Sequence, residues 1–301
     1  MVYNRKDFLS TMATLSTGVL LSDSLLSCAN PAIITGKYGI QLYTVRNDLL
    51  KDMEGTLGYL SKAGYTQVEA YGFKDEKTYW GNKPAKEIKQ SLDANQLTSP
   101  SGHYDMKGFI YEGNVDEWKQ AVEAATILGN KYMVIPWLDE NHRSPDFYKG
   151  LVDKVNTAAE LTKAAGMQLA YHNHEFEFDK GPDGITYLES LLSQTDPKMV
   201  EFELDLYWTT FAGYNPIDLF HKYPGRFTMW HLKDRPANAN GQKKFVPVGE
   251  GVVDFTSIFK KKKLAGLKYA FVEQDECELS SVKECVEKSI ANIKKNNWGN
   301  E

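Results

Sequence analysis

Cysteine is scarce in this chain, three residues in 301, and the spacing offers no pair of the kind that holds a structural zinc ion. Basic residues do not outnumber acidic ones, 35 Lys and Arg against 40 Asp and Glu, and both signs are scattered. With no basic stripe to meet a phosphate backbone, nucleic acid drops out as a partner. Long apolar runs are missing too. The stretch from Phe8 to Leu26 is weakly apolar and broken by Asp23, short of the about 20 residues that a membrane-spanning helix needs. No Pro/Gly/Ser-rich linker or low-complexity tract follows Tyr38, which speaks against a string of small modules. What remains is room for one large core, and a single α/β barrel of about 250 residues uses nearly all of it.

Residues 1–30 differ from the rest and read as a targeting segment, with Arg5 and Lys6 followed by an apolar stretch rich in small residues. Asn4-Arg5-Lys6-Asp7-Phe8-Leu9 resembles a twin-arginine export signal with lysine in the second arginine's place. Leu25-Leu26-Ser27-Cys28 resembles the lipobox of a bacterial lipoprotein, in which Cys28 carries the lipid. The expectation is an exported bacterial protein, periplasmic or lipid-anchored to the cell envelope, meeting the membrane only through that anchor. The other cysteines, Cys277 and Cys285, are close enough to pair in an oxidising compartment and are read here as two ordinary thiols.

From residue 34 to residue 301 short apolar strands alternate with amphipathic helices, the signature of parallel α/β architecture. The strand segments are Tyr38–Tyr43, Thr66–Tyr71, Thr98–His103, Lys131–Pro136, Gln168–His174, Val200–Asp205, Phe227–Leu232 and Lys268–Glu273. Eight is the count of a single-domain (β/α)8 TIM barrel. Helices over 53–63 and 115–128 stop at Gly64 and Gly129. A longer one starts at Ser144-Pro145 and ends at Gly166, and a last one covers about 281–295.

Alternation within the late strands sets apart two faces. Val200, Phe202 and Leu204 oppose Glu201, Glu203 and Asp205; Trp230 and Leu232 oppose Met229, His231 and Lys233; Ala270 and Val272 oppose Phe271 and Glu273. The apolar face must meet the helices, so the ionisable groups point into the barrel, where unpaired charge is expensive unless a metal or a partner compensates it. His172 and His174, Asp205, His231 and Lys233, Glu273 and Asp275 then converge at the C-terminal rim, where a barrel keeps its active site. Imidazole and carboxylate on consecutive strands predict one divalent ion of Mn, Zn, Co, Fe or Mg.

The runs Tyr171-His172-Asn173-His174-Glu175-Phe176-Glu177-Phe178, Asp205-Leu206-Tyr207-Trp208, His231-Leu232-Lys233-Asp234 and Val272-Glu273-Gln274-Asp275 resemble the late-strand motifs of the xylose-isomerase-like barrel superfamily. That superfamily includes sugar epimerases, inosose dehydratase, dehydroshikimate dehydratase and endonuclease IV. The resemblance covers the chain after about Ile34, and it implies Asp205, His231 and Glu273 as metal ligands. Ketose epimerases carry a glutamate at the strand-five position, where this chain has His172; His172 is taken as the fourth ligand, with Glu175 and Glu177 in reach only if the chain kinks after the strand. Glu273 is the candidate base and His174 the candidate acid. Lys233 holds an oxyanion or donates a proton, unless it is tied to Glu203 or Asp234.

Residues placed to bind hydroxyls or stack on a ring are Gln41, Tyr43, Glu69, His103, Trp137, Trp208 and Arg235. The Gly-x-Gly of Val246–Gly251 is a weak phosphate signal, with no Walker lysine. These features predict an isomerase or epimerase acting through an enediolate on a non-phosphorylated keto sugar or cyclic polyol. A lyase or dehydratase on 3-keto-glycosides or inosose comes second. A non-catalytic sugar-binding lipoprotein and a metal-dependent phosphodiesterase are further alternatives. The partner is a small carbohydrate, and self-association is open.

Overall fold

The computed structural model describes residues 38–74 and 78–299; the leader with Cys28 lies outside the described residues. Eight parallel strands close into a barrel: β1 (Gly39–Gln41), β2 (Gln67–Ala70), β3 (Thr98–His103), β4 (Tyr132–Ile135), β5 (Gln168–His172), β6 (Val200–Asp205), β7 (Met229–Leu232) and β8 (Tyr269–Val272). Each pairs with its sequence neighbours, and β8 pairs back onto β1. Every strand falls inside a segment expected from periodicity. Around them lie α1 (Met53–Ala63), α2 (Ala85–Ala94), α3 (Val115–Leu128), α4 (Pro145–Ala164), α5 (Tyr187–Gln194), α6 (Pro216–Lys222), α7 (Phe255–Phe259) and α8 (Val282–Lys295). Among the described residues no helix is long and apolar enough to cross a membrane.

Local chemistry sets the helix ends. The Asp52 carboxylate accepts from Gly55 N–H at the start of α1, and Gly64, with φ of 106°, turns the chain out of it. Ser144 caps α4 through Phe147 N–H with Pro145 as first helical residue, and Ser281 caps α8 through Glu284 N–H.

Two apolar clusters lie on opposite sides of the barrel wall. Leu204, Trp230 and Val272 belong to the large core under the helices, and Trp230 stacks on Phe220 of α6 with ring centroids 5.2 Å apart. Burial of each such side chain contributes about 1.5–3 kcal/mol. Inside the barrel, Tyr132, Val134, Ala170, Met229 and Phe271 form a separate plug. Phe271 demands a glycine opposite: a Cβ on Gly39 would lie 2.4 Å from its ring. At the N-terminal end of the plug the inward Glu201 is fully provided for, accepting from Tyr132 Oη (2.6 Å), Thr228 Oγ1 (2.6 Å) and Lys268 Nζ (3.0 Å). At the opposite end His172 and Asp205 each keep a buried atom without a partner.

The reading of Cys277 and Cys285 as separate thiols is corrected: they form a disulfide. The loop after β8 doubles back so that Cys277 meets Cys285 on the first turn of α8, a local approach that spacing alone does not reveal. Closing a loop with a sequence separation of 8 stabilises by about 2–3 kcal/mol. Reduction should therefore lower the unfolding free energy by that amount, read as an earlier denaturant midpoint, and identical unfolding curves with and without reductant would show that the bond contributes nothing.

Candidate metal centre

The ends of β5 to β8 bring His172, Asp205, His231 and Glu273 together, with one donor atom of each within 4.8 Å of the others. All four are buried. Register does this: Asp205 and His231 are direct partners across β6 and β7, so consecutive strands end at one height.

Two donor atoms in the group have no hydrogen-bond partner although buried, His172 Nε2 and Asp205 Oδ2, 3.6 Å apart. The other atom of each residue is committed. His172 Nδ1 lies 3.2 Å from the carbonyl oxygen of Pro136, which places the ring proton there and leaves Nε2 a lone pair. Asp205 Oδ1 accepts from Trp208 N–H at 2.8 Å, capping the short helix Leu206–Phe211. Leaving such atoms buried and unpaired costs about 1–3 kcal/mol each, more for a charged carboxylate, and a divalent cation removes that cost. Burial, with the charge of His231, holds His172 down to about 4, so it presents a neutral ligand. Two imidazoles with two carboxylates suit Zn, Fe, Co or Mn better than Mg.

Below this set a second layer orients it. His231 Nε2 lies 2.7 Å from Glu69 Oε2, while Nδ1 lies 2.9 Å from Glu273 Oε2. Burial opposes charge on His231, yet the Glu203 and Glu273 carboxylates raise its pKa well above the usual range. Glu69 also accepts from Gln41 Nε2 (2.7 Å) and Ser101 Oγ (2.5 Å), and His103 Nε2 lies 2.8 Å from Glu203 Oε2. Glu69, His103, Glu203 and His231 are thus also grouped closely enough to ligate. Their donors already bond to one another, Glu203 Oε1 excepted, so the unmet demand lies chiefly in the upper set. With Nε2–H on Glu69 and the Nδ1 proton given up to an arriving cation, His231 would have the carboxylate-backed arrangement that fixes a ligating imidazole.

Lys233 enters from the rim, wholly buried, with Nζ 2.8 Å from Glu273 Oε2, 2.9 Å from Asp275 Oδ2 and 3.7 Å from Asp205 Oδ2. Burial works against its charge, but Asp275 and Glu273 keep it an ammonium. Neither alternative partner holds it. Glu203 serves the layer below, and Asp234 spends its carboxylate on the backbone N–H groups of Gly249, Gly251 and Val253. That use explains the Gly-x-Gly: a Cβ on Gly251 would lie 2.3 Å from Asp234 Oδ1, and its N–H faces aspartate rather than a phosphate.

Above the four lies a cavity of about 570 Å³ lined in part by Tyr43, His103, Trp137, His174, Trp208 and Lys233, all expected at the site. Gln41 and Glu69, expected to touch sugar hydroxyls, instead sit fully buried under the floor, bonded to each other, with Glu69 also bonded to His231. Arg235, also expected at the site, is not among the residues lining the cavity, and its Nη2 donates to Thr210 O at 3.3 Å. The chain does kink after β5, through a 3-10 turn at Phe176–Phe178, but without bringing glutamate to the ligands. Glu175 pairs with Lys243, and Glu177 accepts from His174 N–H (2.7 Å) and Tyr171 Oη (2.8 Å). Arg46, Tyr71, Asp105 and Glu276 also line the cavity and carried no sequence signal beyond their places after strands.

Asp205→Asn and Glu273→Gln should each weaken metal binding by more than tenfold, and Glu69→Gln by about 10–100-fold through His231. Metal content by elemental analysis with titration calorimetry checks this, and undiminished metal in Asp205→Asn would remove the site. Burial pushes Glu177 up to about 8 against its two hydrogen bonds. Its folded pKa lies above the unfolded value of about 4.3, so its contribution is complete below that value and is lost as pH rises through 8. Thermal unfolding of metal-free protein should show a midpoint falling over that window, with a flatter profile in Glu177→Gln; parallel profiles would contradict it.

Residues 57–274 match the family model of the xylose isomerase-like TIM barrel. The chain is 31% identical over 130 residues to the inosose dehydratase of Geobacillus kaustophilus, a match covering 38% of this chain and only 41% of that protein. It is 26% identical over 230 residues to the inosose dehydratase of Clostridium botulinum, covering 65% of this chain and 75% of that one. The structure of a sugar phosphate isomerase/epimerase from Parabacteroides distasonis is similar with a TM-score of 0.75 and 30% identity, over 89% of this chain and 98% of the other. With the closed eight-stranded barrel and this match over most of its length, the chain belongs to the xylose isomerase-like TIM barrel family.

Proposed function

We propose that this chain is a metal-dependent lyase that takes a proton from the carbon beside the ketone of a keto sugar or keto cyclitol and expels an oxygen substituent from the next carbon. The carrying observation is the buried pair of unpartnered lone pairs on His172 and Asp205, placed under a cavity that also presents a neutral imidazole and a fixed ammonium. A divalent ion held by His172, Asp205, His231 and Glu273 would act as Lewis acid toward the ketone, acidifying the neighbouring C–H bond.

The protein's own groups do the proton work. Burial, then the adjacent His172 ring and the Lys233 ammonium, push the His174 pKa well below its usual value, so the ring is neutral at neutral pH. Its Nδ1 is buried without a partner, and Trp137 stands edge-on to the ring with centroids 4.5 Å apart. His174 therefore suits a base better than the acid expected of it. It accepts the carbon-bound proton, and the electron pair left behind forms the enolate. When the ketone re-forms, the bond to the β-oxygen breaks, and His174 returns its proton to the departing oxygen. Lys233, flanked by Trp208 and Phe245 at 5.3 and 5.5 Å, supplies fixed positive charge for the oxyanion.

Isomerisation or epimerisation is the second reading, favoured by the Parabacteroides distasonis structure's name. It shares the first proton transfer. Inversion needs a base on each face of the planar intermediate, and the strand-five position carries the neutral ligand His172 rather than a carboxylate, which favours elimination, as do the relatives named inosose dehydratase. The disulfide supports work in an oxidising compartment, in keeping with an export leader and lipidation of Cys28. The commitment of the Gly249 and Gly251 N–H groups to Asp234 supports an unphosphorylated substrate.

Metal-loaded protein given inosose or a 3-keto-glucoside in D2O should release water or the aglycone. Deuterium uptake with every oxygen retained would favour the isomerase, and no exchange with any such substrate would end both readings. His174→Gln should lower turnover by about 10²–10⁴-fold with metal content unchanged.

A further inference from the structure

The cavity has two chemically different halves. The reactive groups all come from the ends of β5 to β8 and the residues just after them, whereas the wall built at the ends of β1 to β4 is aromatic and polar and includes His103. Tyr43 and Tyr71 meet edge to face there, centroids 5.4 Å apart at 86°, and Tyr71 stacks on Trp80 at 5.5 Å. Arg46 lies 4.2 Å over the Tyr43 ring and donates to Tyr43 O and Asp275 O, both at 2.9 Å, tying this wall to the loop after β8. Tyr43 remains 42% exposed despite these contacts, and Asp105 offers a carboxylate to the same space.

His172, His174 and Lys233 share the cavity lining with Tyr43, Arg46, Tyr71 and Asp105, which the proton chemistry does not use. The volume of about 570 Å³ lies well inside the range of about 300–1,000 Å³ that takes drug-sized ligands, larger than a single pyranose or cyclitol. Rigid tyrosine faces suit the C–H face of a second ring, and a carboxylate suits its hydroxyls. We propose that the wall of Tyr43, Arg46, Tyr71 and Asp105 is a second-ring subsite and that the substrate is a glycoside of a keto sugar, whose second ring leaves with the β-oxygen. This rests on the lyase reading for its chemistry, though not for binding.

Two measurements separate the claims. In the first, kcat/KM is compared for a keto-disaccharide, here called the glycoside, and for the same keto sugar free. The wild type should prefer the glycoside by about tenfold or more, and Tyr71→Ala should lower kcat/KM for the glycoside about tenfold more than for the free sugar, through KM. Asp105→Asn, an exposed change that spares folding, should shift the ratio in the same direction. In the second, calorimetry compares binding of the unoxidised disaccharide glycoside and the unoxidised monosaccharide, neither of which carries a ketone to react. Tighter binding of the glycoside, weakened in both variants, supports the subsite even if no turnover is found and the lyase reading fails. Equal binding of the two ligands, or equal losses for both in the variants, overturns the subsite even where elimination is observed.

Discussion

His231 is the residue on which the arrangement of the site depends, because its two nitrogens face two different layers of the barrel. Nε2 meets Glu69 at 2.7 Å in a layer already bonded through Gln41, Ser101 and His103, and Nδ1 faces Asp205 and Glu273 in the layer above. The lower layer fixes the ring, and the ring sets where the upper donors converge. Charge buried this deep is tolerated only when each group is paired, since each unpaired ion costs several kcal/mol. Below the plug, Glu201 meets that condition with protein partners alone. Above it, His172 Nε2 and Asp205 Oδ2 do not, and that difference between the barrel's two ends marks where a ligand belongs.

The rim carries the consequences outward. Lys233 stays charged because Glu273 and Asp275 hold it, while His174, in an aromatic surround, stays neutral because nothing comparable does. A fixed cation and a neutral imidazole in one pocket let proton movement and charge stabilisation be divided between two residues. The loop bearing Asp275 is in turn held by Arg46 and closed by the Cys277–Cys285 bond, so the segment that secures Lys233 is itself tied at both ends.

Much of this was legible in the chain because it is local. The alternation of Glu203 and Asp205 with Phe202 and Leu204 assigns the faces of β6 without any knowledge of its neighbours, since successive side chains of a strand must point opposite ways. Gly64, Gly129, Ser144 and Ser281 mark helix ends for equally local reasons. Strand ends on one rim then follow from a parallel barrel, so His172, Asp205, His231 and Glu273 could be named together.

What only the tertiary structure decided concerns contacts between strands far apart in sequence. Gln41 and Glu69 look like any inward polar residues until closure of β1 onto β8 sets them under His231 rather than in the cavity. Arg235 follows a motif aspartate yet donates to Thr210 O instead of lining the cavity, and the kink after β5 sends Glu177 to a backbone N–H instead of to a metal. The aromatic wall from the early strands and the meeting of Cys277 with Cys285 depend likewise on how loops fold back, which no periodicity encodes. The sequence alone determined the strands, their faces and the kinds of atom delivered to the rim. Closure of the barrel decided which of those atoms find partners in the protein and which are left for a ligand.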